Sequence, residues 1–197
     1  MATAYQTLQT AERPLTVRDY DSFPDDGNRY EIIGGELSVS LSPTLEHQRI
    51  VLGVVFELER FFRERPIGEV FVAPLDVELS NFDVVEPDVV VVLDANASVK
   101  REKRIVGAPD IVVEVISPSS AMQDRVRKGA LYAMNGVREY WLVDPGNRTF
   151  DILALRPPEY VPVEQSAWSI RSRVLDGFEL DLAHLFRAPT SKTGSTK

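Results

Sequence analysis

Two acids stand where apolar strands are expected. In EPDVVVVLD, Asp88 heads the run Val89–Leu93, and in DIVVEVISPSS Glu114 interrupts a second apolar run. If those strands are neighbours, both carboxylates come to one end of a sheet, which is the outline of a metal site. Two carboxylates ~4 Å apart repel by ~1 kcal/mol in water and by ~4 kcal/mol at an effective dielectric of ~20, and a divalent cation offsets that repulsion. Without metal, one of the two holds its proton to higher pH. Hard oxygen donors of this kind select Mg2+ or Mn2+ over copper or zinc. Structural readings compete. Pro-Asp is also turn chemistry at a strand entry, and Glu114 could be the buried partner of an arginine, because an unpaired acid there costs several kcal/mol.

A third group follows on the next element. Asp124, Lys128 and Tyr132 are spaced i, i+4, i+8 and so share one helix face. If that face meets the sheet, Lys128 reaches the carboxylates. Its ammonium would orient a water, hold a phosphate, or act as a base if desolvation and a cation depress its pKa. The alternative is a surface Asp124–Lys128 pair worth a few tenths of a kcal/mol. His47 opens the first helix on the side of Val51, Val54 and Leu58, either pointing toward the sheet or serving as a core or cap histidine.

The elements that must position these residues are legible as patterns. Residues 1–13 read as a flexible arm, and TVRDYDSFP as a short helix ending before Pro24. RYEIIGGELSVSL reads as a hairpin around Gly34 and Gly35. Apolar residues at helical spacing predict a helix from Leu45 to about Arg63, stopped by Pro66 and Gly68. EVFVAPLDVEL, PDVVVVL and PDIVVEVIS read as three strands. SPSS offers N-cap hydroxyls to a helix from about Ser120 to Asn135, with Gly136 placed to stop it, and EYWLVDP reads as a fourth strand. RTFDILAL, YVPVEQ and SIRSRVL suggest further strands, LDLAHLF a last short helix, and residues 188–197 a disordered tail. The order predicts one α/β domain over 14–187, a mixed sheet flanked by helices with extra N- and C-terminal strands.

Composition narrows the function classes. The 197 residues carry a net charge of -8, against a protein that coats nucleic acid through bulk positive charge. A metal ion and a few local bases can still serve a local site. The KREKR run, Lys100 to Arg104, reads as a solvated loop. The absence of cysteine excludes disulfides, thiolate zinc sites and a cysteine nucleophile, and fits a reducing compartment. MATAYQTLQTAERP lacks the basic flank and apolar core of a signal peptide, and no apolar run approaches a membrane span. The expectation is a cytoplasmic protein with no membrane partner. There is no internal repeat and no glycine-rich phosphate loop.

The segments RYEIIGGEL, PLDVEL, EPDVVVV, APDIVVEVISPSS, DRVRKGALYAMNGVREYWLVDP and GFELDL, in this order, resemble the Uma-two family of restriction endonuclease-like proteins, within the PD-(D/E)XK nuclease superfamily. The resemblance implies a mixed sheet flanked by helices with the site at a split in the sheet. By position it puts the superfamily's Pro-Asp acid on Asp88 and its second acid on Glu114. The superfamily's lysine, two residues after that acid, falls on Ile116, and the resemblance assigns its role to Lys128 on the following helix. It further implies metal held by Asp88, Glu114 and the Val115 carbonyl, with Asp124 and Tyr132 orienting Lys128. Glu31 and His47 are accessory candidates, and Asp76 a further possible ligand. The implied function is an endonuclease that hydrolyses DNA with Mg2+ or Mn2+. The second reading is a catalytically silent nuclease-fold protein acting as a DNA-binding, regulatory or assembly module, and exposed sheet edges would support a homodimer under either.

Overall fold

The two valine runs are neighbours, and their pairing sets the frame of the molecule. The computed structural model describes residues 13–24, 26–40, 42–116 and 122–187. Its strands are β1 (Arg29–Ile33), β2 (Glu36–Ser40), β3 (Gly68–Val72), β4 (Val77–Ser80), β5 (Asp83–Val85), β6 (Val89–Leu93), β7 (Ile105–Val106), β8 (Ile111–Val115), β9 (Glu139–Asp144), β10 (Thr149–Arg156), β11 (Glu159–Pro162), β12 (Ser169–Arg171) and β13 (Glu179–Asp181). The helices are α1 (Val17–Tyr20), α2 (Leu45–Glu64), α3 (Met122–Asn135) and α4 (Leu182–Leu185). No described helix is long and apolar enough to cross a membrane.

A six-stranded mixed sheet runs β11-β10-β9-β8-β6-β3, and a five-stranded sheet runs β2-β1-β5-β4-β7. β12 and β13 form a separate antiparallel pair. In the larger sheet only β8 and β9 are parallel, joined by the α3 crossover, as parallel neighbours require. Strand alternation distributes the apolar side chains to two faces. Val89, Val91, Ile111, Val113, Trp141 and Val143 pack with Ile50, Val54, Leu58 and Phe62 of α2. Val90, Val92, Val112, Tyr140 and Leu142 face the other way, with Leu131 and Tyr132 of α3 and with Ile33, Val77 and Val85 of the smaller sheet. Near-continuous valine is therefore the signature of strands buried on both faces.

Local signals explain the boundaries. Gly34 and Gly35 have φ of 61° and 78°, the pair of positive values that a two-residue hairpin turn demands. Thr44 caps α2 by accepting from the His47 backbone N–H at 3.2 Å. The SPSS segment expected to cap α3 lies outside the described residues. EVFVAPLDVEL is not one strand: it forms β3 in the larger sheet and β4 in the smaller, with Ala73 and Pro74 between them. Proline cannot donate to a ladder, so the chain breaks there and changes sheets. β5 and the 3-10 helix Asp94–Val99 also lie beyond what the pattern predicted. In KREKR, Lys100 pairs with Glu69, and Arg104 with Asp21 and Glu78, so two of its four bases are already neutralised.

Candidate active site

The chain passes from the smaller to the larger sheet at Glu86-Pro87-Asp88, between β5 and β6. β6 and β8 are antiparallel with Val89 opposite Val113 and Val90 opposite Val112, a register whose next pair is Asp88 and Glu114. The two acids thus face each other at one end of the sheet. Asp88 is 3% exposed, so its charge needs partners. Its Oδ2 accepts from the Val115 N–H at 2.8 Å and from His47 Nε2 at 3.1 Å, and its Oδ1 accepts from Arg29 Nη1 at 3.0 Å. Burial pushes its pKa up, but the His47 hydrogen bond and the Arg29 charge outweigh this and hold it below the ordinary carboxylate value.

Glu114 has a different environment. Its Oε1 accepts from Lys128 Nζ at 3.0 Å and from the Tyr132 hydroxyl at 2.8 Å. Lys128 Nζ also donates to Glu31 Oε1 at 2.8 Å, and that oxygen accepts the Glu86 backbone N–H at 2.9 Å. Burial raises the Glu114 pKa. Lys128 opposes the shift, while the charges of Asp88 and Glu31 add to it. For Lys128, burial disfavours the charge, but Glu114 and Glu31 prevail and its pKa lies above the ordinary lysine value. The Tyr132 hydroxyl, fully buried beside Glu114, is held well above the usual phenol value, so it donates. The Lys128 side chain turns inward, and Glu114 pairs with a lysine rather than an arginine.

Two cations therefore each bridge two acids: Lys128 joins Glu31 to Glu114, and Arg29 joins Asp88 to Glu86. Arg29 Nε lies 2.8 Å from Glu86 Oε1 without hydrogen-bond alignment, and its Nη2 donates to the Glu86 carbonyl. Burial also raises the Glu86 pKa, with Arg29 opposing. Four carboxylates against two cations leave an excess of two negative charges. Among the described residues no three His, Asp or Glu side chains converge as a ready metal cage, and Arg29 and Lys128 hold oxygens of Asp88, Glu114 and Glu31. The donor chemistry fits a hard divalent cation, whose charge matches the excess.

Of the residues expected from sequence, Asp88, Glu114, Lys128, Tyr132, Glu31 and His47 come together. His47 is 7% exposed, with Nε2 on Asp88 and a buried Nδ1 that has no hydrogen-bond partner among the described residues. Val115 meets Asp88 through its N–H. Asp124 lies on α3, with its side chain outside the described residues. Asp76 instead accepts the Tyr20 hydroxyl at 2.6 Å. Arg29 and Glu86 were not expected. Arg29 shares a strand face with Glu31 by the i, i+2 rule, which is the signal that names it. A cleft of about 210 Å³ opens beside Asp88, lined by Arg29, His47, Gln48, Pro74 and Glu86.

A mixed sheet split from a second sheet, with acids at the split and a helix-borne lysine joining Glu114 to Glu31, is the arrangement expected of a restriction endonuclease-like protein. A solved structure described as a putative nuclease belonging to DUF820 from Anabaena variabilis ATCC 29413 has this fold. It matches with a TM-score of 0.73 at 20% identity over 88% of this chain and 98% of that one, a likeness that shows the fold alone. No curated protein matches the chain. The Uma2 family, described as "Putative restriction endonuclease", matches residues 17–183, and the chain belongs to that family.

Proposed function

We propose that this protein is a metal-dependent endonuclease that hydrolyses DNA phosphodiester bonds at the Asp88–Glu114–Lys128 site. The observation that carries the reading is the Lys128 ammonium held between Glu114 and Glu31, at 3.0 and 2.8 Å, beside a second acid on the neighbouring strand. Ion pairing for stability alone is a weaker account, since a buried cluster with excess negative charge costs more than the apolar packing it replaces.

Asp88 and Glu114, with the Val115 carbonyl, would hold a magnesium or manganese ion, which supplies positive charge and Lewis acidity. The chain's own residues then divide the work. Asp88 stays ionised, because Arg29, His47 and the Val115 N–H stabilise its charge. Glu114, with Oε1 held by Lys128 and Tyr132, would share the metal ion, whose charge would favour its ionised form and place a water beside Lys128. Lys128 remains an ammonium, so it donates hydrogen bonds to that water or to a phosphate oxygen and offsets developing charge. That differs from the base role open to it on sequence alone. Tyr132 and Glu31 fix where Glu114 and Lys128 point, and Arg29, bound to Asp88 and Glu86, holds the wall of the cleft.

The experiment compares wild type with Glu114→Ala on plasmid and single-stranded DNA, across magnesium and manganese concentrations at low salt. Cleavage by wild type alone supports the reading. If neither protein cuts while wild type binds DNA, the catalytically silent reading replaces it.

A further inference from the structure

The outer face of α2 carries apolar side chains that the fold leaves uncovered. Leu52 is 69% exposed and Phe56 is 61% exposed, while the opposite face of the helix is buried against the larger sheet. They border a groove of about 830 Å³ between α2 and the C-terminal turn, lined by Leu52, Gly53, Phe56, His184 and Leu185. On the same side of the helix, Glu46 and Arg49 precede Leu52 and Phe56, and Glu59 and Arg63 follow them, while Arg60 is taken up by Glu57. Read backward from the far end, that order places an acid where the forward order has a base.

We propose that this face is a twofold interface between two copies of the chain, with their α2 helices packed antiparallel about an axis level with Val54. Such a dyad sets Leu52 against Phe56 of the second copy, and Phe56 against its Leu52. The same operation brings Arg49 opposite Glu59 of the second copy and Arg63 close to its Glu46, each contact occurring twice because a twofold interface is self-complementary. The result is an apolar centre with charge pairs at both ends, over a helix length of ~27 Å from Leu45 to Arg63. In the single chain the ion pairs are long, Arg49 and Glu46 3.6 Å apart and Arg63 and Glu59 3.9 Å, so Glu46, Glu59 and Arg63 are exposed enough to re-pair across an interface, while Arg49 keeps its bonds to the C-terminal turn and turns its remaining N–H groups to the second copy. A stable interface needs ~800 Å² on each side, more than one helix face supplies, so the groove wall at His184 and Leu185 must take part. This contact uses a helix, unlike the sheet-edge pairing that the sequence suggested, and it does not depend on the nuclease reading.

The test is sedimentation velocity on the full chain from about 1 µM to about 200 µM, where a micromolar dimer changes mass with concentration. Wild type is expected to dimerise and Phe56→Glu to remain monomeric. Arg49→Glu and Glu59→Arg each create like-charge contacts at both ends, and each alone should weaken self-association at least about tenfold. Mixed together, the two variants regain both opposite-charge pairs, and a heterodimer should form. Arg49 also donates to the Leu185 and Arg187 carbonyls, so thermal melts accompany the comparison. If Arg49→Glu loosens that turn, Phe56→Glu and Glu59→Arg still decide the matter. A wild-type monomer at the highest concentration, a dimer that survives Phe56→Glu, or a mixture of well-folded single variants that stays monomeric would each overturn the proposal. A monomer whose mass rises with added DNA in wild type but not in Phe56→Glu would reassign the face to nucleic acid.

Discussion

Replacing Lys128 with Met keeps the aliphatic stem and removes the ammonium that Glu31 and Glu114 share. Glu31 retains the Glu86 N–H and Glu114 the Tyr132 hydroxyl, so neither loses every donor. What they lose is compensation of charge. Leaving both ionised costs ~3–5 kcal/mol, the usual result of breaking a buried pair. Protonating one from an ordinary Glu pKa of ~4.3 costs at most ~3.7 kcal/mol at pH 7, because each pH unit is worth ~1.36 kcal/mol. The two penalties are comparable at pH 7, protonation is clearly the smaller at pH 5, and Glu114 takes the proton because burial has already raised its pKa. The destabilisation in Lys128→Met therefore has a ceiling of ~3.7 kcal/mol at pH 7 and ~1 kcal/mol at pH 5. At ~2–4 °C per kcal/mol for a domain of this size, the melting temperature should fall by no more than about 7–15 °C at pH 7 and about 2–4 °C at pH 5. Thermal unfolding of both proteins across that range, without metal, measures the difference. A loss that is the same at both pH values would refute the reasoning, since it would mean that Lys128 contributes packing and not charge.

Other consequences follow from the same contacts. Glu114→Gln keeps an oxygen for Lys128 and Tyr132 and removes a charge that burial disfavours, so melting should hold or rise while DNA cleavage falls about a hundredfold, the scale of a damaged metal site. A raised folded-state pKa means that ionised Glu114 costs stability as pH climbs from its unfolded value through its folded one; magnesium offsets that cost, so the melting shift it produces should be larger at pH 8 than at pH 5, checked by titrating metal into wild type. Glu139 is fully buried and accepts from Trp141 Nε1, the Ser172 hydroxyl and the backbone N–H groups of Arg173 and Val174. Glu139→Gln turns one accepting oxygen into a donor facing donors, which should cost ~2–4 kcal/mol and speed amide exchange at Arg173 and Val174, measurable by hydrogen exchange.

Much of this arrangement could be read from residue order, because strand and helix periods are local. Asp88 and Glu114 stood out as acids in valine runs, and Lys128 and Tyr132 followed from helical spacing. Arg29 was missed because its partner Asp88 is 59 residues away and no local period links them. Its face was nonetheless fixed once Glu31 was chosen, two residues along the same strand. The single strand expected over EVFVAPLDVEL failed at Pro74, where the missing N–H outweighed the alternation on either side. The Glu139 clasp was not read from the pattern: apart from Trp141 on the same strand, its donors sit in a loop after β12, and a loop's contacts depend on the whole fold.

The departure at Ile116 shows how the site keeps its cation without the expected residue. Glu114 and Ile116 lie on the same side of an extended segment, and the Ile116 N–H still donates to the Val143 carbonyl at 2.7 Å, so the backbone there runs on as a strand would. The side chain that could have carried an ammonium instead packs among apolar neighbours, against the cluster that holds Leu131 and Tyr132. The charge arrives from above, on the helix that covers this face, and reaches Glu114 at 3.0 Å. A lysine on the strand would have its stem fixed by the sheet, whereas a lysine on a helix needs a second anchor to set its direction. Glu31 provides that anchor from β1, in the other sheet. The N-terminal hairpin is therefore part of the site's construction, because without β1 neither Lys128 nor Asp88 would keep the partner that fixes it.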